Sequence, residues 1–350
     1  MSILDRNTRT PAATTPSPAK APPPAPDAMM RAIVQDRYGS ADVLRLARVA
    51  RPEITGNDVL LRVHAAGLDR GTWHLMTGKP YALRLVVGLR RPRQPVAGRD
   101  AAGTVAAVGP RVTRFTVGDE VYGIAPGSFA EYAVAPEHKL ARKPANLSFA
   151  QAAVVPVSAL TALQGLCDVG GIEAGQKVLI TGASGGVGSY AVQLAKALGA
   201  EVTSVCSTTK LDLVRSLGAD HVIDYTRDDF ADGTRHHDLI LDIAGNPTIS
   251  RLRRALTPTG TAVIAGGEEG GNWTGMGRQL RAVAVSPFVR QRLTMVASRE
   301  RSSDLARLTE LIEAGQVTPS IDRTYPLDRV PEAMRQLDAG KVRGKIAITI

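Results

Sequence analysis

Aromatic side chains are scarce in this chain: Phe, Trp and Tyr make up 4% of its 350 residues. Its cores must therefore be largely aliphatic, and few platforms exist on which nucleic-acid bases could stack. Cysteine is scarcer still. The two thiols, Cys167 and Cys206, make neither a disulfide framework nor a cysteine-based zinc site, and they fit a cytoplasmic, reducing location. No apolar run reaches the roughly 18 residues of a membrane-spanning helix, so no membrane partner is expected. Residues 1–28 are nearly free of large apolar side chains and lack the apolar core of a signal peptide. Rich in Pro, Ala and Thr, they read as a disordered tail, because such a segment cannot bury enough to offset its ordering entropy. Translation starting at Met29 or Met30 is the other reading.

What is present is a basic, glycine-rich globular composition, with a net charge of +10, 34 glycines and 44% hydrophobic residues. The cations are dispersed rather than gathered in one arm, so a solvated surface that tolerates phosphorylated ligands is expected, with no nucleic-acid partner. From residue 29 to 150, segments such as "DVLLRVHAAGL" alternate apolar and polar residues between Gly and Pro, the pattern of a β-rich module. From 151 to 292, apolar runs (KVLI, VTSVC, HVIDY, DLILDIAG, TAVIAGG) alternate with helical patterns, which indicates βαβ units and a parallel sheet covered on both faces. From 293 to 350 an amphipathic helix leads to a closing strand, "GKIAITI", that returns to the β-rich module. The expected fold class is α/β: a β-rich domain plus a doubly wound parallel-sheet domain.

"TGASGGVGSYAVQLAKALGA" (181–200) follows a strand and opens a helix. There Gly182, Gly185 and Gly188 allow a tight turn and close backbone approach. With Ser184, Gly186 and Val187 they place free N–H groups and a positive dipole against a pyrophosphate. Where NAD-selective sites place a carboxylate at the end of the second strand, this chain reads Ser207-Thr208-Thr209-Lys210. Hydroxyls and a cation suit a 2′-phosphate, so NADPH is the expected cofactor. Tyr225, ending the next strand, is placed near the adenine, and Gly266 and Gly267, ending a later one, near the nicotinamide ribose.

The segments "YGSADVLRL", "VLLRVHAAGLD", "GRDAAGTVAAVG", "FTVGDEVYG", "GSFAEYAVAP", "LTALQGL", the glycine motif and "GKIAITI" together resemble the medium-chain dehydrogenase/reductase superfamily, in its zinc-independent quinone oxidoreductase-like branch. The resemblance covers residues 30–350. It implies a GroES-like catalytic domain completed by the C-terminal segment, a Rossmann domain, a cofactor cleft between them and commonly a homodimer. It also places Thr161 and Lys345 near the cofactor. Zinc alcohol dehydrogenases of this superfamily carry ligands where this chain has Asp69, Arg99 and a residue near Val157. An arginine and an aliphatic group cannot ligate Zn²⁺, so no metal is expected. Nor do the six histidines make a cluster; His236 and His237 alone are adjacent.

Without a Lewis acid, the substrates that accept hydride are those already electrophilic, quinones and α,β-unsaturated carbonyls. "LDRGTWHLMTGKPY" occupies the family's substrate segment; Asp69, His74 and Tyr81 are its candidate catalytic residues, the last two as proton donors. Three functions stand: reduction of a quinone, reduction of an alkenal or enone double bond, and non-catalytic NADPH binding or RNA interaction on the same fold.

Overall fold

The structure, a computed structural model, describes residues 29–266 and 273–350. The tail assigned to 1–28 and Gly267 lie outside the described residues.

The chain opens with an antiparallel ribbon of β1 (Met29–Val34) and β2 (Arg45–Ala50). β3 (Asp58–Leu68) follows, then α1 (Arg70–Thr77) and α2 (Arg84–Val87) leave the sheet before β4 (Asp100–Val108). β5 (Glu120–Ile124), β6 (Tyr132–Pro136) and β7 (Leu140–Arg142) complete this half. Alternation along β3 sends Val59, Leu61 and Val63 into one aliphatic core with Val105, Val121 and Leu140.

α3 (Phe149–Ala153) starts at a capping box in which Ser148 and Gln151 satisfy each other's backbone N–H groups. α4 (Pro156–Gln164) then leads into alternating strands and helices: β8 (Lys177–Thr181), α5 (Gly186–Ala197), β9 (Glu201–Cys206), α6 (Leu211–Ser216) and β10 (His221–Asp224). β11 (His237–Asp242), α7 (Ile249–Ala255), β12 (Leu256–Ile264), α8 (Gly277–Val285) and β13 (Arg292–Met295) follow. The six strands lie in the order β10-β9-β8-β11-β12-β13, all parallel. Four consecutive residues of β8 and of β11 are fully covered, as a sheet flanked by helices on both faces requires.

The segment boundary read at 292 falls too early. β13 runs through it and pairs with β12, Leu293 opposite Ala262, so the parallel sheet claims residues up to Met295. Beyond it α9 (Ser302–Glu313), β14 (Ile321–Pro326), α10 (Val330–Asp338) and β15 (Lys345–Thr349) end the chain. β15 adds antiparallel to β3, with Ile346 opposite Leu68, and parallel to β14. β15 thus sits inside the sheet that β3 began.

Candidate functional site

The β8–α5 turn has the backbone of a phosphate cradle. Gly182 adopts φ +66°, a left-handed conformation that favours glycine. A Cβ at Gly188 would lie 2.2 Å from the Gly182 carbonyl oxygen, so only glycine lets the helix meet the strand. A Cβ at Gly185, by contrast, would have nothing nearer than 3.4 Å. The helix begins at Gly186 without a side-chain cap, which leaves its first N–H groups for an anion. These residues fit the pyrophosphate of a dinucleotide.

The C-terminal strand closes the back of this turn. Gly344 N–H donates to the Ser184 carbonyl at 2.8 Å, and the buried Lys345 donates from Nζ to Ser158 Oγ at 2.8 Å. A Cβ on Gly186 would stand 3.1 Å from Lys345 Cδ. Lys345 is therefore brought to the cradle. The Thr161 hydroxyl donates to the Val157 carbonyl one turn back in α4, at 2.7 Å, which leaves its oxygen as an acceptor.

At the end of β9 the assigned residues are more engaged than their sequence suggests. Lys210 donates to the Gly340 and Val342 carbonyls at 3.1 and 2.9 Å, and burial lowers its pKa, with Arg343 adding to the effect. Thr208 donates to Asp224 at 2.5 Å, while Ser207 precedes the short turn and Tyr225 is 62% exposed. Asp224, which sequence reasoning missed, ends β10 beside Cys206 of β9. A carboxylate does occupy this edge, one strand further on, where hydrogen bonds from Thr208 and Thr226 hold its pKa below the usual range.

On the sheet's C-terminal edge, a Cβ on Gly266 would fall 1.6 Å from the Ile243 carbonyl oxygen, so close strand packing accounts for that glycine. Its own carbonyl accepts from Arg278 at 2.9 Å and Gln279 at 3.0 Å. Arg278 also pairs with the fully buried Asp242, which in turn accepts from Thr181 at 2.8 Å. Arg278 of α8 is thus a largely covered tie between strand ends.

Gln279 opens onto a cleft of about 520 Å3 between the two halves. One wall carries Thr274, Met276 and Gln279; the other carries His74, Leu83 and Arg99. Of the three assigned catalytic residues, His74 alone lines it. The His74 Nδ1 lies 2.7 Å from the Lys79 carbonyl and must donate to it, so the neutral ring presents an unprotonated Nε2. It can deliver a proton only as the imidazolium. Tyr81 is turned edge-on to Trp273, ring centroids 5.8 Å apart, outside the lining. Asp69 caps α1, its Oδ1 accepting from Thr72 N–H at 2.7 Å, and its other oxygen is buried without a hydrogen bond.

Arg99, absent from the candidate site residues that the sequence offered, also lines the cleft. Burial works against its charge, yet Asp69, Asp100 and Glu300 together raise its pKa. Its Nη2 lies 2.6 Å from Glu300 Oε1, and Lys139 holds the other oxygen at 2.6 Å. Beneath it, burial pushes the Asp100 carboxyl well above the usual range, with Asp69 adding to the rise and Lys345 and Arg99 opposing it. Asp100 accepts from Val157 N–H at 3.2 Å. A permanent cation thus faces the cleft, backed by carboxylates.

A nucleotide cradle beside a cleft between a β-rich half and a parallel sheet defines a nicotinamide-dependent oxidoreductase. Residues 55–145 match the family model described as alcohol dehydrogenase GroES-like domain, and residues 217–348 that described as zinc-binding dehydrogenase. The chain is 35% identical to the 2-methylene-furan-3-one reductase of Solanum lycopersicum, covering 91% of this chain and 79% of that one. It is 34% identical to the chloroplastic NADPH-dependent alkenal/one oxidoreductase of Arabidopsis thaliana over the same shares. The quinone oxidoreductase structure from Coxiella burnetii superposes with a TM-score of 0.82 at 30% identity, covering 92% of this chain and 99% of that one. The chain belongs to the medium-chain dehydrogenase/reductase superfamily, in its quinone oxidoreductase-like branch.

Proposed function

We propose that the chain is a zinc-independent reductase that transfers hydride from NADPH to a quinone. The observation that carries this reading is Arg99, a guanidinium lining the cleft where zinc-dependent relatives hold a ligand. Reduction of a quinone places negative charge on a carbonyl oxygen, and a preorganised cation at that oxygen stabilises the charge as it forms. Glu300, itself held by Lys139, holds the guanidinium in place, and the Asp69 carboxylate adds to the charge around it. The same cation repels a dication, Val157 offers no ligand atom, and Asp69 Oδ1 is engaged as a helix cap. Among the described residues no group of three or more His, Cys, Asp or Glu could hold a metal ion.

Gly182, Ser184, Gly185, Gly186, Val187 and Gly188 hold the dinucleotide's phosphates, with Lys345 behind them. Lys210 and the neighbouring Arg343 supply the positive edge for a 2′-phosphate and Ser207 a hydroxyl, against the hydrogen-bonded Asp224. When bound, the reduced nicotinamide supplies the hydride. Protonated His74, or solvent through the open cleft, returns the proton to the product oxygen. The enzyme acts as a cytoplasmic homodimer in this reading.

Reduction of enone double bonds is the second reading, favoured by the likeness to the tomato and Arabidopsis reductases and served by the same cation, since an enolate also carries its charge on oxygen. NADPH and NADH oxidation followed against a quinone panel and an enone panel separates the two. Turnover of enones alone rejects the first reading. NADPH binding without turnover of any acceptor rejects both in favour of a non-catalytic role.

A further inference from the structure

From Gly71 to Gly98 the chain contains no carboxylate, yet it carries Lys79, Arg84, Arg90, Arg91 and Arg93. Within this stretch α2 and the turn after it present Leu85, Val86 and Leu89 to solvent, at 70, 70 and 67% exposure. The turn is built rather than loose. Gly88 adopts φ +124°, and a Cβ there would meet the Arg91 carbonyl oxygen at 2.1 Å. Its carbonyl accepts from Tyr38 Oη at 2.5 Å, Arg93 N–H donates to the Val87 carbonyl at 2.8 Å, and Arg84 is clamped between the Tyr38 and Tyr81 rings. Arg90, Arg91 and Arg93 are exposed beside the apolar tip. Trp273, 78% exposed, extends the same surface; its carbonyl accepts from Ala82 N–H at 2.8 Å.

We propose that this tip docks the protein on an anionic lipid bilayer, with Leu85, Val86 and Leu89 entering the headgroup region and the three arginines on lipid phosphates. Apolar side chains flanked by arginines match the two layers of such a surface, hydrocarbon beneath anionic charge. A second copy would set arginines against arginines. A nucleic acid would use the arginines and leave the apolar tip in water. The chain has no helix long and apolar enough to cross a membrane among its described residues, so the contact is peripheral.

The docked surface adjoins the substrate cleft, because Pro80, Ala82 and Leu83 of the same segment line it. Resting on the quinone or enone reading above, the inference deepens it: the substrates are lipophilic members of that class, taken from the bilayer without crossing water.

The test is flotation of the full chain with phosphatidylcholine vesicles, with and without phosphatidylglycerol. The variants are L85S/V86S/L89S and R90Q/R91Q/R93Q, six exposed positions outside the cleft lining. The wild type should float with phosphatidylglycerol vesicles and less so at high salt, and the arginine variant should lose on the order of a hundredfold in affinity. Both variants should reduce a short-chain, water-soluble quinone at the wild-type rate but lag on an isoprenoid quinone embedded in vesicles. Absence of wild-type flotation, or unchanged flotation of either variant, overturns the proposal. So does an effect confined to oligomeric state or to nucleic-acid retention. Vesicle binding without turnover of any quinone or enone upholds the docking surface and removes the substrate reading alone.

Discussion

Arg99 and Glu300 meet at 2.6 Å, one immediately ahead of β4 and the other two residues ahead of α9. With Lys139 on the far oxygen, the carboxylate is shared between two cations, which overcomes the effect of burial and lowers its pKa.

If Arg99 stabilises charge on the substrate oxygen, its removal should appear in the chemical step. Arg99→Met is expected to lower kcat by about 10²- to 10³-fold, the usual effect of losing one such donor, with little change in NADPH affinity. Arg99→Lys should recover part of the loss. Steady-state kinetics with a cofactor titration checks this; an equal fall in cofactor affinity would make Arg99 a structural tie.

Two glycines of the turn should fail in different ways. Gly188→Ala forces a Cβ against the Gly182 carbonyl and should cost roughly 1–3 kcal/mol of stability. Gly185→Ala makes only an ordinary contact, 3.4 Å from the Gly182 carbonyl oxygen, leaving the unfolding midpoint near that of the wild type while weakening dinucleotide binding. Denaturant melts beside binding isotherms separate the two.

Lys210 has two roles to distinguish. Lys210→Ala should raise the KM for NADPH about tenfold and leave that for NADH nearly unchanged, if its charge serves the 2′-phosphate. An equal loss for both cofactors would assign it to the Gly340 and Val342 carbonyls alone.

His237 opens β11 with both ring nitrogens buried and without hydrogen-bond partners. Burial, with Arg235 adding to it, lowers its pKa from 6.5 to about 4. Between those values the unfolded chain binds the extra proton, so stability is full above pH 6.5 and falls as the pH drops toward 4. The loss should approach about 3 kcal/mol. Urea midpoints across that window check it, and His237→Leu should flatten the dependence.

The local parts of this architecture were legible because local patterns carry them: alternation along β3, the glycine turn between β8 and α5, and the cover on both faces of β8. The partners of Lys210, Arg278 and Tyr81 were not. Lys210 meets carbonyls from the C-terminal stretch, Arg278 a strand end from earlier in its own half, and Tyr81 a tryptophan from the other half. Each is a tertiary meeting that residue type alone does not encode. Asp224 escaped notice because the sequence fingerprint inspects one strand end, whereas the folded edge sets β9 and β10 side by side.

β15 fills the gap between β3 and β14, while Gly344 and Lys345 at its start brace the nucleotide turn, so one short strand is a keystone for both halves. The β-rich half begun by the early strands waits through the whole parallel sheet for its neighbour, a pairing of long sequence separation that favours slow, all-together closure. Dividing the gene after β7 would strand the early strands, which would then lack the five residues that β3 pairs with.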